Sequence, residues 1–161
     1  MIEMIVDSVR MGTLNTQRTV ILKERGGQRR LSIVLSAAEA DPIITGLKKR
    51  AESRPSGQDN AAKSKAAGLP LTHDLMSDII EAYNGKVKMA VISAAANDRY
   101  CASLMIDAGG AETRFDCRVT DAIALAVRAD APVFMEESAL EAGISPVKAK
   151  GPREKTLIST D

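Results

Sequence analysis

Tryptophan is absent from this 161-residue chain, and phenylalanine and tyrosine occur only twice each. So few rings exclude a base-stacking platform of the single-strand-binding kind. Histidine occurs once, as His73, which rules out a two-histidine acid–base ribonuclease site within one chain, an HExxH motif and a histidine-rich zinc site. The two cysteines, Cys101 and Cys117, match no zinc spacing and no disulfide framework. They fall in predicted strands either side of Gly109-Gly110, a placement that can set them opposite each other across a hairpin, and are expected as reduced thiols. No apolar run approaches 18 residues, and Glu3 and Asp7 interrupt the stretch that a signal peptide would need unbroken, so the chain reads as soluble and cytoplasmic with no membrane partner. The P-loop, GxGxxG and GxSxG signatures are all missing.

Charge is balanced as well: 22 basic and 21 acidic residues leave a formal net charge of +1, so any pull on nucleic acid must be local. Candidate basic runs are Arg25, Arg29 and Arg30, then Lys48, Lys49 and Arg50, then Lys148, Lys150, Arg153 and Lys155, each equally readable as a solvated face or loose tail. At this length one domain with a genuine core is expected.

Apolar, β-branched segments at Met1 to Arg10, Thr19 to Lys23 and Leu31 to Leu35 predict a strand and a hairpin turning at Arg25-Gly26-Gly27-Gln28. Two helix starts compete next. Ser36 with Glu39 makes a capping box, whereas Asp41-Pro42 puts a good cap before proline, and a helix starting at Ser36 must bend or pause at Pro42. Either start leaves Ala40, Ile43, Ile44 and Leu47 on one apolar stripe. Residues 53–68, rich in Ser, Ala, Lys and Gly, read as a flexible insertion. A second helix is predicted from Thr72 to about Tyr83, with Leu75, Ile79, Ile80 and Tyr83 inward and Asn84-Gly85 ending it. Strands near Lys86 to Ala94, Arg99 to Asp107 and Glu112 to Cys117 follow, with turns at Asn97-Asp98 and Ala108-Gly109-Gly110. Thr120 is expected to cap a helix to Ala129, Pro132 to Met135 to form a short strand, and Ser138 with Glu141 to cap a last helix. Residues 145–161 read as a polar, disordered tail. The order lacks strict βα alternation, so the expected fold is α+β: one compact domain over 1–144 with a mostly antiparallel or mixed sheet and about four helices.

Polar residues concentrate where two helices begin, at Thr72-His73-Asp74 and at Asp116-x-Arg118-x-Thr120-Asp121. Helix starts expose unpaired N–H groups and a positive dipole end, which attract anions and acidic side chains. Each cluster has two readings. Thr72 and Thr120 serve as caps and Asp74 and Asp121 complement the dipole, or His73 and Asp74 face a cleft as ligands or a proton-transfer pair. Asp116 and Arg118, two apart on an extended chain, share a side and either pair to fix the junction or hold a metal and clamp a phosphate. Glu39 either closes its capping box or joins Asp116 and Asp121 as oxygen ligands suited to Mg²⁺ or Mn²⁺.

Pro70-Leu71-Thr72-His73-Asp74-Leu75, Asp116-x-Arg118-x-Thr120-Asp121-Ala122-Ile123-Ala124-Leu125-Ala126, Ala131-Pro132-Val133-Phe134 and Glu39-Ala40 together resemble the bifunctional nuclease domain family over about Met1 to Ile144. The resemblance implies a compact α+β domain and, for plant members, a nuclease acting on both DNA and RNA. Leu69 stands where the family usually has Arg, Ser36 where it has Gly, and Val119-Thr120 where it has Pro-Ser. Chemical inference then assigns a divalent-metal-assisted phosphodiesterase: Glu39, Asp116 and Asp121 as metal ligands, His73 with Asp74 for proton transfer, Arg118 for the developing charge, and Thr72 and Thr120 beside Arg118 for substrate. The alternative is a non-catalytic ligand-binding or protein-binding module of the same fold. Apolar strand edges further suggest a homodimer.

Overall fold

The computed structural model describes residues 1–12, 16–53, 69–95, 99–143 and 154–159. Three strands open the chain: β1 (Ile2–Gly12), β2 (Arg18–Glu24) and β3 (Arg30–Leu35). Helix α1 (Ala37–Ser53) and helix α2 (Thr72–Ala82) follow, then a meander of β4 (Gly85–Ala95), β5 (Arg99–Ala108) and β6 (Ala111–Cys117). Helix α3 (Val119–Arg128), β7 (Val133–Met135), α4 (Glu137–Gly143) and β8 (Glu154–Ser159) complete it. The expected α+β class holds.

One mixed sheet runs β3-β2-β1-β7-β4-β5-β6, with β8 also paired to β1. Only β7 and β4 are parallel; the other pairs are antiparallel. Strand β1 is the spine. It pairs with β2 along one edge, while its other edge is divided between β7 at Ile2 to Met4 and β8 at Ser8 to Gly12. The β5–β6 hairpin turns at Gly109 and Gly110, whose φ values of 66° and 87° lie in the left-handed region that a tight two-residue turn needs and that glycine adopts without strain.

Helix α3 is apolar nearly all round and is buried from Val119 to Thr120 and from Ala122 to Val127, so it forms the centre of the core. Ala40, Ile43 and Leu47 of α1 pack into the same cluster, as do Val9, Val20, Leu22 and Leu31 of the first strands and Ile92 and Leu104 of the meander. The α1 stripe read from the sequence is therefore the buried one.

Several expectations change. The capping box at Ser36 prevails over a start at Asp41: Ser36 N donates to Glu39 Oε2 at 2.9 Å, and Glu39 N to Ser36 Oγ at 3.4 Å. Helix α1 then runs through Pro42 without a pause, the burial of Ala40, Ile43 and Leu47 on its core face offsetting the one missing N–H. Thr72 and Thr120 are not caps. Leu71 and Arg118 hold those positions, and neither makes a side-chain capping hydrogen bond through its own side chain. Helix α4 begins at Glu137, one residue before the cap expected at Ser138. Asn84 does end α2, in a left-handed conformation at φ 56°. The expected disordered tail instead supplies β8. Cys117 pairs in register with Ala102, which puts Cys101 on the opposite face, so the two thiols do not face each other. The insertion at 54–68, the Asn97-Asp98 turn and residues 145–153 lie outside the described residues.

The largest correction concerns α2. Its expected inward residues Leu75, Ile79 and Tyr83 are 48%, 48% and 80% exposed, and only Ile80 packs on the core. The helix turns His73, Asp74 and Ser77 toward the body instead.

Candidate functional site

Asp121 is the third residue of α3, where the unpaired N–H groups of the first turn favour a carboxylate. Arg118, just before the helix, folds back over it: Nε donates to Asp121 Oδ2 at 2.7 Å and Nη2 to Oδ1 at 3.0 Å. His73, from the first turn of α2, reaches the same Oδ1 through Nε2 at 3.1 Å. Burial raises the Asp121 carboxyl's proton affinity, but the hydrogen bonds from Arg118 and His73 outweigh it and hold the group below the ordinary aspartate value. An ionised carboxylate only accepts, so Nε2 of His73 donates the hydrogen of this bond. The His73 side chain is 14% exposed, while that of Arg118 is 73% exposed and presents its guanidinium to solvent.

Glu39 joins this group from α1. Hydrogen bonds from the Ser36 hydroxyl and backbone hold its carboxyl below the ordinary value, and it lies close enough to Arg118 and Asp121 to feel both charges. The capping role and proximity to the cluster thus coincide in one side chain.

The neighbouring residue does something different. Asp74 accepts from Arg128 Nε at 2.8 Å and pairs with Lys49 Nζ at 2.7 Å, and its Oδ2 also accepts from Leu71 N at 3.3 Å. Arg128, 5% exposed, donates Nη1 to the carbonyls of Pro42 at 2.8 Å and Ala124 at 2.9 Å. This ion pair ties α1, α2 and α3 together. Gly46 makes room for it: a Cβ there would sit 2.9 Å from Arg128 Nη1. Burial opposes ionisation of Asp74, but its bonds to Lys49 and Arg128 prevail and its carboxyl too stays below the ordinary value. Asp74, expected from adjacency to act with His73, is thus bonded instead to Arg128 and Lys49. Sequence reading passed over Arg128, although an isolated glycine in mid-helix, Gly46, was its one local signal.

The remaining candidates disperse. Asp116 is exposed and pairs with Arg114 Nε at 3.2 Å. Thr120, expected beside substrate, is buried at the start of α3, and Thr72 is exposed at the start of α2. Glu39, Asp116 and Asp121 do not assemble: among the described residues no three His, Cys, Asp or Glu side chains gather as a metal site. Both oxygens of Asp121 are already engaged by cations or a ring N–H, so this donor set does not fit Mg²⁺ or Mn²⁺. In the first two basic runs Arg25 pairs with Glu3, Arg29 with Glu24 and Glu137, Lys49 with Asp74 and Arg50 with Asp130, while Lys148, Lys150 and Arg153 lie outside the described residues. A cavity of about 870 Å³ opens elsewhere, between β1, β7 and the ends of α1 and α3, and includes none of His73, Arg118 or Asp121. No helix among the described residues is long and apolar enough to cross a membrane.

Comparison with known proteins bears on this arrangement. Over 143 residues the chain is 28% identical to Uncharacterized protein Rv1829 and to Uncharacterized protein MT1877, from two strains of Mycobacterium tuberculosis, an overlap of 88% of this chain and 76% of each relative. Residues 59–147 match the Bifunctional nuclease domain, a span that takes in α2 through α4 and holds His73, Asp74, Arg118, Asp121 and Arg128. The match covers more than half of the chain, which therefore belongs to the bifunctional nuclease domain family.

Proposed function

We propose that the protein is a nuclease that hydrolyses phosphodiester bonds of DNA or RNA at the cluster of His73, Asp121 and Arg118. The observation that carries this reading is that one carboxylate, Asp121, holds both an imidazole and an exposed guanidinium. A carboxylate-held histidine has a fixed tautomer and can move a proton, and an arginine fork recognises phosphoryl oxygens. In this reading Nδ1 of His73 takes a proton from the attacking water as the new P–O bond forms. The scissile P–O bond breaks, and the proton passes to the leaving oxygen. Arg118 offsets the charge that builds on the non-bridging oxygens. No step is routed through a divalent ion, because the carboxylates needed for it point to other partners.

A second reading is a module that binds nucleic acid or another anion without cleaving it. The low exposure of His73 beside the high exposure of Arg118 favours that alternative. Labelled single-stranded and double-stranded DNA and RNA, incubated with purified protein in Mg²⁺, Mn²⁺ or EDTA, separate the two. Cleavage that survives EDTA and disappears in well-folded Asp121→Asn and His73→Ala supports the nuclease. Binding without cleavage, lost in Arg118→Ala, supports the module.

A further inference from the structure

Helix α2 is inverted relative to an ordinary surface helix. None of its eleven residues is buried, its polar His73, Asp74 and Ser77 face the body, and its large apolar side chains other than Ile80 face out. Leu75, Met76 and Ile79 are 48%, 41% and 48% exposed, and the stripe continues through Leu69 at 96%, Leu71 at 56% and Tyr83 at 80%. The inversion is enforced from inside, by Asp121 on His73 and by Arg128 and Lys49 on Asp74.

We propose that this stripe is the contact surface for a second copy of the chain, joined about a two-fold axis across α2. Size is the first reason. The six side chains expose roughly 600–700 Å², above most single apolar patches on monomers and close to the roughly 800 Å² per partner of a standard interface. Shape is the second. Leu71, Leu75, Ile79 and Tyr83 recur every fourth residue, and such a ridge packs against an identical ridge in the commonest class of helix crossing. A ridge on its own copy is the self-complementary contact that a two-fold axis requires. Charge is the third. Helix α2 has Asp78 and Glu81 on its exposed side and no Lys or Arg, so nucleic acid and anionic lipid are disfavoured as occupants of the stripe.

The dimer places α2 between two contacts, the active-site cluster on one face and the partner copy on the other. Light scattering with size-exclusion chromatography tests it on the full chain. Wild type at micromolar concentration is expected at twice the 17.1 kDa chain mass, and Leu75→Glu with Ile79→Glu at the single-chain mass with an unchanged circular dichroism spectrum. Because both side chains are about half exposed in the protomer, charge there leaves the fold intact. Val34→Glu with Phe115→Glu, at exposed positions on the two edge strands β3 and β6, is expected to keep the double mass. A wild-type mass of one chain at every concentration overturns the proposal. So does a dimer that persists in the α2 variant and dissociates in the edge-strand variant.

Discussion

His73 and Asp74 are adjacent on one turn of α2, and each meets a partner from α3, yet the two contacts differ in kind. The Asp74 contact is closed: its arginine is 5% exposed and fastened to carbonyls of two helices. The His73 contact is open on one side, where Arg118 reaches solvent. A buried pair fixes the distance between elements, and a half-open one keeps groups available for a ligand. The difference separates what holds α2 in place from what that placement presents.

Removing the closed contact has the largest expected effect. Arg128→Ala leaves the Asp74 carboxylate with Lys49 and the Leu71 N–H and removes its buried tie to α3, with an expected loss of about 3 kcal/mol in chemical denaturation. Gly46→Ala comes next and pits two effects against each other. Alanine favours the helix by about 1 kcal/mol, but its Cβ meets a guanidinium pinned by two carbonyls and a carboxylate, so a net loss of about 1 kcal/mol is expected in the same measurement. A rise in stability on that substitution would show that the arginine gives way.

The pH dependence sharpens the comparison further. Asp74 has a carboxyl depressed in the folded state, so its stabilisation is fully present above the unfolded value of about 4 and disappears as pH falls through the folded value. Asp74→Asn is therefore expected to be less stable than wild type at pH 7, with the gap closing below about pH 4. Thermal melts across that range read it directly. Asp121→Asn is the mildest for the fold, below about 1 kcal/mol, because the lost bonds are to an exposed arginine and a single ring nitrogen. Its signature is functional. Cleavage or anion binding is expected to fall at least tenfold while the melting temperature shifts by only a few degrees.

Local patterns made much of the fold legible. Strand pairs β2–β3 and β5–β6 follow from short extended segments flanking glycine turns, and the start of α1 from the Ser36–Glu39 capping box. What escaped depends on partners distant in the chain. The facing of α2 cannot be read from its own periodicity, because the bonds that decide it reach to Asp121 and Arg128, 48 and 54 residues away. Thr120 as cap failed because the apolar demand of α3 draws that residue into the core. The short run Thr156-Leu157-Ile158 carries little strand signal alone, and becomes β8 only against the waiting edge of β1. At the site, His73, Arg118 and Asp121 were legible as residues and are brought together, whereas Asp116, placed with Arg118 by a two-residue spacing, pairs instead with Arg114, its neighbour two residues the other way.

The split edge of β1 has a consequence for the order of assembly. Ribosomal synthesis delivers β1 before its partners, and β2 satisfies one edge almost at once. Its other edge waits for Val133–Met135 and Glu154–Ser159, an interval on the order of ten seconds at ordinary elongation rates. During that time the nascent strand exposes unpaired backbone, the bulge between Val6 and Ser8 being its main protection against wrong partners. The sheet therefore closes late, when β7 and β8 return to a strand made more than a hundred residues before them.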